Sequence, residues 1–566
     1  MASPDSIDRR EFFARAVMGA ATAGLPLSTA LGAPVPNVDG QDSPTQEIGL
    51  ADLQAAAKIA GLEFENSELE EILRSVRSQR ASFAALRSQE VDYTLEPPTP
   101  FVPQGKSMGG APGIELRLDP PSSDSPPSDP EDLAFSSVRE LSHWVRTRKV
   151  SPVELTRLYL DRMKKYGDEL LCLVTLTEEL ALEQARRAEA EIAAGQYRGP
   201  LHGLPYGIKD LFATKGYPTS WGSEPHKDQL FDYDAGVIER MREAGAVLIA
   251  KLSLGSLAQG DVWFKGRTKN PWNPSQGSSG SSAGSACSAA AGLAAFTIGT
   301  ETLGSIVSPT HQCRVTGLRP SYGRVTRSGA MAVSWTMDKV GPICRSAQDC
   351  AIVFASLQGS DPRDLTSRDA GFHYRSDLPL KELRIGYLIG PSDDPADRSA
   401  IERTDYLSLL ASLGANLEPV RLSPTPNGVI LVLSVESASA FDDFTRSDAI
   451  DRLQNSSWPQ TYRSSRFVPA VEYLRAQRLR TEVMRTFEAE LGEFDLVVAN
   501  ERGGHTLYTT NLTGHPQVLV PFGLTPQGTQ RSISLIGRLD GEATILAVAH
   551  QIQMRAGFHR LRPSLG

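Results

Sequence analysis

The feature that most constrains the fold of this chain is a run of small residues between apolar segments. All ten residues from Gly277 to Ala286 are glycine, serine or alanine, a composition typical of a flexible linker. The run leads into an alanine-rich apolar stretch at 289–298, whose pattern predicts a strand, and a second small-residue cluster follows at Gly299–Ile306. A flexible linker rarely lies between apolar segments of one domain. We therefore predict that the run is a closely packed part of a folded domain.

The overall composition is that of a folded, acidic protein. Of 566 residues, 40% are hydrophobic and 22% are charged, which are ordinary values for a globular chain. The 58 lysines and arginines against 67 aspartates and glutamates give a net charge of −9. Because there is also no basic block, the charge argues against nucleic acid or an anionic membrane surface as partner. Five cysteines are too few for a disulfide scaffold, and no apolar run reaches the roughly 18 residues that a membrane-spanning helix needs.

The first 33 residues are typical of an export signal. Arg9-Arg10 precede a moderately apolar segment from Ala14 to Ala33, and residues 28–30 offer a small-residue cleavage site. A twin arginine in this position indicates Tat export. This predicts a periplasmic or secreted bacterial protein, with no stable membrane insertion after residues 1–33 are removed. The odd number of cysteines favours free thiols. The alternative is a short amphipathic helix of the mature protein.

Residues 34–133 are predicted to form a helical segment and a proline-rich linker. Ser67 and Glu70 have the spacing of a capping box at the start of a helix. One apolar face follows at helical spacing and consists of Leu69, Ile72, Leu73 and Val76. Ten of the 38 prolines then lie in 97–130. Because proline neither continues a helix nor donates to a sheet, this part is expected to be an extended linker or a wrapping arm.

Residues 134–566 are predicted to form one large catalytic domain of the α/β class. Ser137 and Glu140 have the spacing of a second capping box. From there, helical patterns alternate with short apolar strands, for example at 246–250, 293–298 and 518–520. This alternation favours an α/β sheet covered by helices.

Several motifs together resemble the amidase signature family. The small-residue run, the cluster at 299–305 and Gly317-Leu318-Arg319-Pro320-Ser321-Tyr322-Gly323-Arg324 are similar to its central signature. Upstream, residues 207–212 look like its catalytic-lysine strand, and downstream 511–516 and 536–538 look like its C-terminal motifs. The resemblance covers roughly 134–565, with the motifs in the family's order. It implies a mixed central sheet covered by helices on both faces, to which this chain adds an N-terminal helical and proline-rich extension.

The resemblance also implies a Ser–Ser–Lys catalytic triad. In this family pattern Ser305 is the nucleophile, Ser281 the bridging serine and Lys209 the terminal base, with a cis peptide bond between Gly280 and Ser281. A serine hydroxyl needs a neighbour to take its proton, and a lysine can do so only when burial disfavours its charged form. Without the resemblance, Lys209 reads more simply as a surface lysine at a strand end. Ser278 is the alternative to Ser281, but aligning Gly284-Ser285-Ala286 with the family's distal glycine and small residues favours Ser281.

The oxyanion hole is expected to consist of backbone N–H groups from the turn before the nucleophile. The donors would be Thr302, Leu303, Gly304 and Ser305, of which Leu303 adds bulk where many family members carry glycine. Val307 also departs from the family pattern, because it removes a cation that could pair with Glu301. These departures concern substrate preference more than the triad. No metal-binding motif and no cofactor motif occurs, so none is expected.

Three functions remain open from the sequence. The leading hypothesis is an exported amidase that hydrolyses a small-molecule carboxylic amide through an acyl-enzyme, with a homodimer possible. The alternative is an A-type subunit of an aminoacyl-tRNA amidotransferase, a glutaminase, since residues 48–75 resemble the small helical subunit of that complex. The third is a non-catalytic binding protein on an amidase scaffold. Substrate selection is expected in Ser256–Phe264 and 425–475, where four aromatic residues favour either an aryl acyl group or a packed core: Trp263, Phe264, Phe441 and Phe444.

Overall fold

The computed structural model describes residues 47–89, 102–103, 105, 107–390, 392–396, 401, 404–453 and 455–565. The predicted export signal at 1–33 lies outside these residues. Within the described part of the chain, no helix combines the length and the apolar character that crossing a membrane requires.

Helices and strands alternate along most of the described chain. The helices are α1 Leu50–Ala60, α2 Asn66–Arg87, α3 Pro130–Ala134, α4 Val138–Arg146, α5 Pro152–Tyr166, α6 Glu178–Ala193, α7 Gly236–Glu243, α8 Ala283–Ala290, α9 Val307–Gln312, α10 Ala347–Leu357, α11 Asp405–Ser412, α12 Leu431–Ala440, α13 Asp442–Thr445, α14 Trp458–Ser465, α15 Ala470–Leu491, α16 Thr506–Thr513 and α17 Glu542–Ala556. Short 3₁₀ helices lie at Glu224–His226, Ser256–Ala258, Leu380–Glu382, Asp448–Arg452 and Phe558–Arg560.

The strands are β1 Ile114–Arg117, β2 Leu173–Leu176, β3 Pro205–Lys209, β4 Val247–Leu252, β5 Val262–Trp263, β6 Gly266–Arg267, β7 Lys269–Asn270, β8 Asn273–Gly277, β9 Phe296–Glu301, β10 Thr316–Arg319, β11 Lys339–Cys344, β12 Phe372–Arg375, β13 Arg384–Leu388, β14 Asn416–Val420, β15 Leu496–Asn500, β16 Gln517–Leu524 and β17 Gln530–Gly537. Eleven of them form one sheet in the order β14-β13-β15-β17-β16-β10-β11-β9-β3-β4-β2. The sheet is mixed, because β3 runs parallel to both β4 and β9 whereas β9 runs antiparallel to β11. The predicted mixed α/β fold flanked by helices is confirmed.

The small-residue run is a closely packed turn and helix, and the strand prediction at 289–298 is wrong for 289–295. Helix α8 takes Ala283–Ala290, residues 291–295 are turns and bends, and strand β9 begins only at Phe296. Alanine has the highest helix propensity of all residues, which favours the helix at 283–290. The helix lies so close to its neighbours that a Cβ at Gly284 would sit 2.5 Å from the backbone nitrogen of Ser253. The run is therefore part of the core and not a linker.

The N-terminal helices form a pair with a shared apolar face. Leu69, Ile72 and Val76 of α2 are buried, as their spacing predicts. The predicted capping box is displaced by two residues, because Glu65 precedes the helix and the Glu68 carboxylate accepts from its backbone N–H at 2.8 Å. A longer side chain at the cap position thus replaces the predicted serine.

The same helix pair is docked on the region in which substrate selection was expected. Phe83 and Leu86 of α2 belong to one apolar cluster with Met337 and Leu431. The Arg87 guanidinium lies 2.6 Å from the carboxylate of a buried glutamate in α15, Glu472. The helices therefore pack against α12 and α15.

The described part of the proline-rich segment is a wrapping arm. Strand β1 pairs in parallel with β12, which lies 258 residues further along the chain (Ile114 with Phe372). The backbone N–H of Met108 donates to the carbonyl of Leu539 at 2.8 Å. Asp129 then caps α3, and the second predicted capping box, Ser137 with Glu140, is confirmed at the start of α4.

Candidate active site

Two parallel strands bring the candidate catalytic residues to one edge of the sheet. Strand β3 ends at Lys209 and its neighbour β9 ends at Glu301, and their register pairs Ile208 with Ile298. Because parallel neighbours end on the same side, the lysine lies beside the last residues of β9. The turn at 302–305 continues from β9, and the end of the small-residue run meets the same edge.

Lys209 is fully buried and is held by serine and threonine hydroxyls. Its Nζ donates to Ser281 Oγ at 2.8 Å, to Ser282 Oγ at 3.2 Å and to Thr300 Oγ1 at 2.8 Å. Burial lowers the pKa of Lys209 to about 7, although the negative charges of Asp338 and Glu301 act in the opposite direction. The alternative of a surface lysine is therefore wrong. This amine can exchange a proton near neutral pH.

The serine in contact with the lysine is Ser281 rather than Ser278. The Ser278 hydroxyl donates to the carbonyl of Ser279 at 3.0 Å instead. The peptide bond between Gly280 and Ser281 is cis, as the family resemblance implies. Only glycine fits at 280, because a Cβ there would lie 1.8 Å from the carbonyl oxygen of Gly260.

The turn after β9 carries Ser305 and a set of backbone donors. The Ser305 carbonyl accepts from the backbone N–H of Ser282 at 3.1 Å, which places the two serine segments side by side. The Ser305 side chain is half-buried, as is Leu303, and Gly304 has a left-handed φ of +83°. In the part of the chain that the structure describes, the backbone N–H groups of residues 302–305 donate to no protein acceptor. Four neighbouring N–H groups thus remain available to an oxyanion.

Glu301 organises the far side of this turn. One carboxylate oxygen accepts from the backbone N–H groups of Ile306 and Val307 at 2.8 and 2.9 Å. The other accepts from Arg319 Nη1 and Asn511 Nδ2, both at 2.8 Å. Burial acts to raise the pKa of Glu301, but the charge and hydrogen bond of Arg319 and the N–H of Val307 lower it to about 2. The carboxylate is therefore ionised and fully bonded.

Arg319 supplies the cation that the sequence lacks at position 307. Arg319 and Glu301 are both fully buried, and a second guanidinium nitrogen donates to the carbonyl of His515 at 2.9 Å. The motifs at 317–324 and 511–516 therefore meet at Glu301. Arg319 belongs to the 317–324 motif, but the sequence did not predict its pairing with Glu301. Sequence spacing does not indicate which carboxylate a distant arginine reaches.

Asp338 is a second site residue that sequence reasoning missed. Its carboxyl accepts from Thr302 Oγ1 at 2.5 Å and from the backbone N–H groups of Val333 and Ser334 at 2.8 and 3.0 Å. Burial raises the pKa of this carboxyl, and those hydrogen bonds act against the rise. Asp338 therefore holds the first residue of the turn in place. The only sequence signal is an aspartate immediately before the buried strand β11.

The four candidate aromatic residues of the substrate region separate into two places. Trp263 is buried, its indole N–H donates to the carbonyl of Leu171 at 3.1 Å, and Phe264 contacts its ring. Phe441 and Phe444 lie instead in a different aromatic group, with Trp221 and His226. Among the described residues, no cluster of three or more histidine, cysteine, aspartate or glutamate side chains could hold a metal ion.

Comparisons with known proteins identify the family. The family model described as Amidase matches residues 154–499. The A-type subunit of glutamyl-tRNA(Gln) amidotransferase from Moorella thermoacetica is 32% identical over 487 residues, which cover 77% of this chain and 99% of that protein. Its counterpart from Methylococcus capsulatus is 33% identical over 481 residues, covering 76% of this chain and 98% of that protein.

Solved structures of similar fold include other amidases. The native peptide amidase of Stenotrophomonas maltophilia has a TM-score of 0.66 at 26% identity, covering 76% of this chain and 98% of that one. An amidase family protein of Bacillus anthracis str. Ames has a TM-score of 0.67 at 27% identity, covering 76% and 92%. The chain belongs to the amidase family, whose members are hydrolases that act on carbon–nitrogen bonds.

Proposed function

We propose that this protein hydrolyses a carboxylic amide through an acyl-enzyme on Ser305, with Ser281 and Lys209 as the proton relay. The observation that carries the proposal is the contact between a fully buried lysine amine, with a pKa of about 7, and the Ser281 hydroxyl at 2.8 Å. A buried neutral amine is what a serine hydrolase without histidine needs as its base.

We assign the relay from the contact between Lys209 and Ser281 and from the family pattern, in which Ser305 is the nucleophile. As Ser305 attacks the amide carbon, its proton passes to Ser281, and the Ser281 proton passes to neutral Lys209. When the carbon–nitrogen bond breaks, the same path returns a proton to the leaving amine. Water then attacks the acyl-enzyme by the same route and releases the acid. The Ser282 and Thr300 hydroxyls, 3.2 and 2.8 Å from the amine, keep it oriented in both charge states.

The tetrahedral intermediate places a negative charge on the former carbonyl oxygen. The N–H groups of Thr302, Leu303, Gly304 and Ser305 are the donors we assign to it, since they have no other protein acceptor within the described residues. Removing one such donor typically lowers kcat by roughly 10²- to 10³-fold in comparable enzymes. Ionised Glu301 fixes the next two N–H groups and so keeps the turn in its conformation.

Hydrolysis of an amide panel tests the proposal. The protein starting at residue 34 is assayed with short aliphatic amides, aryl amides, anilides, peptide amides and free glutamine. Ser305→Ala, Ser281→Ala and Lys209→Ala should each abolish turnover. Ser278→Ala is the matched control in the same run and should retain it. Full activity in the Ser305→Ala or Lys209→Ala variant would refute the proposed triad. A serine-reactive probe that fails to label Ser305 would favour a binding protein.

The second candidate function is the glutaminase subunit of an aminoacyl-tRNA amidotransferase. It is favoured by relatives with that name, of which 98–100% of the length aligns with this chain. The same relay would release ammonia from glutamine and pass it to a charged tRNA. Turnover of glutamine alone, together with ammonia transfer to a charged tRNA in the presence of partner subunits, would establish this candidate. Serine-dependent turnover of other amides by the isolated chain would exclude it.

We further propose export through the twin-arginine leader, which rests on Arg9-Arg10 and the apolar segment that follows. Fractionation of cells that express the full chain tests it. The protein should be found outside the cytoplasm, and changing both arginines to lysine should retain it inside. Cytoplasmic location of the unaltered chain would contradict export and favour the amidotransferase candidate.

A further inference from the structure

A group of aromatic side chains lies beyond the end of the catalytic-lysine strand. The Trp221 ring is 4.9 Å from that of His226 and 6.0 Å, edge-on, from that of Phe441. The His226 ring is in turn 4.8 Å from that of Phe444. Trp221, His226 and Phe444 are half-buried, whereas Phe441 is buried behind them. The group therefore presents ring surface to solvent and is backed by the core.

The backbone connects this group directly to the triad. The Trp221 N–H donates to the carbonyl of Asp210, the residue after Lys209, at 3.1 Å, and its carbonyl accepts from the Leu257 N–H at 2.9 Å. Three residues after Leu257, the Gly260 carbonyl lies against Gly280, which precedes the bridging serine. The Trp221 backbone is thus hydrogen-bonded to the residue after Lys209 and to the segment that packs against the residue before Ser281.

The segments that hold the group adopt unusual backbone conformations. Four non-glycine residues here have left-handed φ angles: Trp221 at +54°, Leu257 at +48°, Ala258 at +61° and Ser279 at +59°. Such conformations persist where the surrounding structure enforces them, and they are concentrated at ligand-binding sites. The backbone at Trp221 is therefore held in this conformation by its surroundings.

The indole N–H of Trp221 is a buried donor without a protein acceptor among the described residues. The indole N–H groups of four other tryptophans are paired with backbone carbonyls: those of Trp144, Trp263, Trp272 and Trp458. Buried donors are nearly always satisfied in folded proteins, and an exception at a site points to a ligand. Burial also lowers the pKa of His226 to about 4, so this ring is neutral at physiological pH.

We propose that Trp221, His226 and Phe444 form the recognition wall for an aromatic ring of the amide substrate, and that the Trp221 indole donates to an acceptor on that substrate. This inference rests on the proposed amide hydrolysis and names its substrate class. A neutral wall of ring faces and edges binds a flat uncharged ring better than an aliphatic chain of equal size. It also explains why the substrate region carries aromatic residues in a group separate from that of Trp263.

Matched aryl and cyclohexyl amides test the wall. The comparison of benzamide with cyclohexanecarboxamide tests for an aromatic ring on the acyl side of the amide. The comparison of acetanilide with N-cyclohexylacetamide tests for a ring on the amine side. We expect the unaltered protein to prefer the aryl member of at least one pair by kcat/KM, and Trp221→Leu to reduce that preference roughly 2- to 12-fold, the range of an aromatic pair. Trp221→Phe, which keeps a ring and removes the donor, should retain most of the aryl preference and lower kcat/KM for both members of the pair; an unchanged kcat/KM would overturn the donor role of the indole.

The controls separate this inference from the proposed function. Phe444→Leu should reduce the aryl preference. The matched control is Phe494→Leu, which should leave that preference unchanged, because Phe494 is a half-buried ring that stacks with Arg384 at the other end of the sheet. Equal turnover of aryl and cyclohexyl amides, or an unchanged ratio in Trp221→Leu, would overturn the wall while leaving amide hydrolysis intact. If no amide is turned over, binding of benzamide to Ser305→Ala is measured by calorimetry instead. Loss of this binding in the double variant Ser305→Ala/Trp221→Leu would support the wall. Absence of binding to Ser305→Ala would refute it.

Discussion

Replacing Lys209 by methionine should abolish amide hydrolysis and yet stabilise the fold near neutral pH. The lysine is fully buried, and burial lowers its pKa from an ordinary 10.5 to about 7. A methionine of similar length fills the same space without a group that can be charged. The unaltered protein must instead keep an amine neutral that would be protonated in the unfolded chain.

The size of this effect follows from the two pKa values. Each unit of pKa difference corresponds to about 1.36 kcal/mol. The lower pKa of Lys209 in the folded state, about 7, therefore reduces the stability of the unaltered protein by about 5 kcal/mol at pH 6, about 4 kcal/mol at pH 7.5 and about 2 kcal/mol at pH 9. The variant loses the hydrogen bonds to Ser281, Ser282 and Thr300, worth about 1 kcal/mol each. The net gain of the variant is then about 1 kcal/mol at pH 7.5.

The two pKa values also determine whether the stability of the protein rises or falls with pH. Because the folded pKa lies below the unfolded one, the unfolded state binds the proton more tightly. The stability of the unaltered protein should thus rise with pH between about 7 and 10.5, and the advantage of Lys209→Met should shrink over the same window. Denaturant unfolding of both proteins at pH 6, 7.5 and 9 measures it. A variant that is less stable at pH 6, or a difference that does not narrow with pH, would refute the buried neutral amine.

Further predictions concern the pH profile, the turn and the N-terminal helices. The acid limb of kcat/KM should be centred near pH 7, where Lys209 loses its proton, and a limb near pH 9 would contradict that pKa. Arg319→Met leaves the Glu301 carboxylate buried without its cation and should reduce the free energy of unfolding by about 3–5 kcal/mol, measured with denaturant. Gly304→Ala forces a side chain into a left-handed turn at φ +83° and should lower kcat roughly 10- to 100-fold with little change in KM. Leu86→Ala leaves a cavity at a buried position between α2 and the domain and should reduce the free energy of unfolding by about 2–5 kcal/mol. Proteolysis within 47–89 should become faster, and an unchanged rate would mean that other contacts hold these helices.

Local sequence patterns predicted features that depend on neighbouring residues. The Ser137–Glu140 capping box and the apolar face of α2 both formed, because a cap and a helical face are decided within a few turns of chain. The N-terminus of α2 was displaced, since Glu65 with Glu68 satisfies the same backbone groups as the predicted serine would. The alanine-rich stretch was misassigned because apolar character alone does not distinguish a buried helix from a buried strand.

In the candidate site, too, some features were predictable from the sequence and others depend on the tertiary structure. Residue types and motif order were enough to indicate Lys209, Ser281 and Ser305, and the cis bond before Ser281 was expected from the same motif. The cation for Glu301 was sought at the neighbouring position 307, where a valine stands. The structure places it at Arg319, on β10, because strands that are distant in sequence approach the same turn.

By itself, the sequence determined the chemistry that is available: a lysine at the end of an apolar strand, serines in a small-residue run and a turn that contains glycine. Only the tertiary structure decided what that chemistry can do. Burial lowers the pKa of Lys209 to about 7, Arg319 keeps Glu301 ionised, and the buried Trp221 indole N–H is left without a protein acceptor among the described residues. Desolvation, ion pairing and donor satisfaction depend on which groups surround a side chain, and those neighbours come from remote parts of the chain.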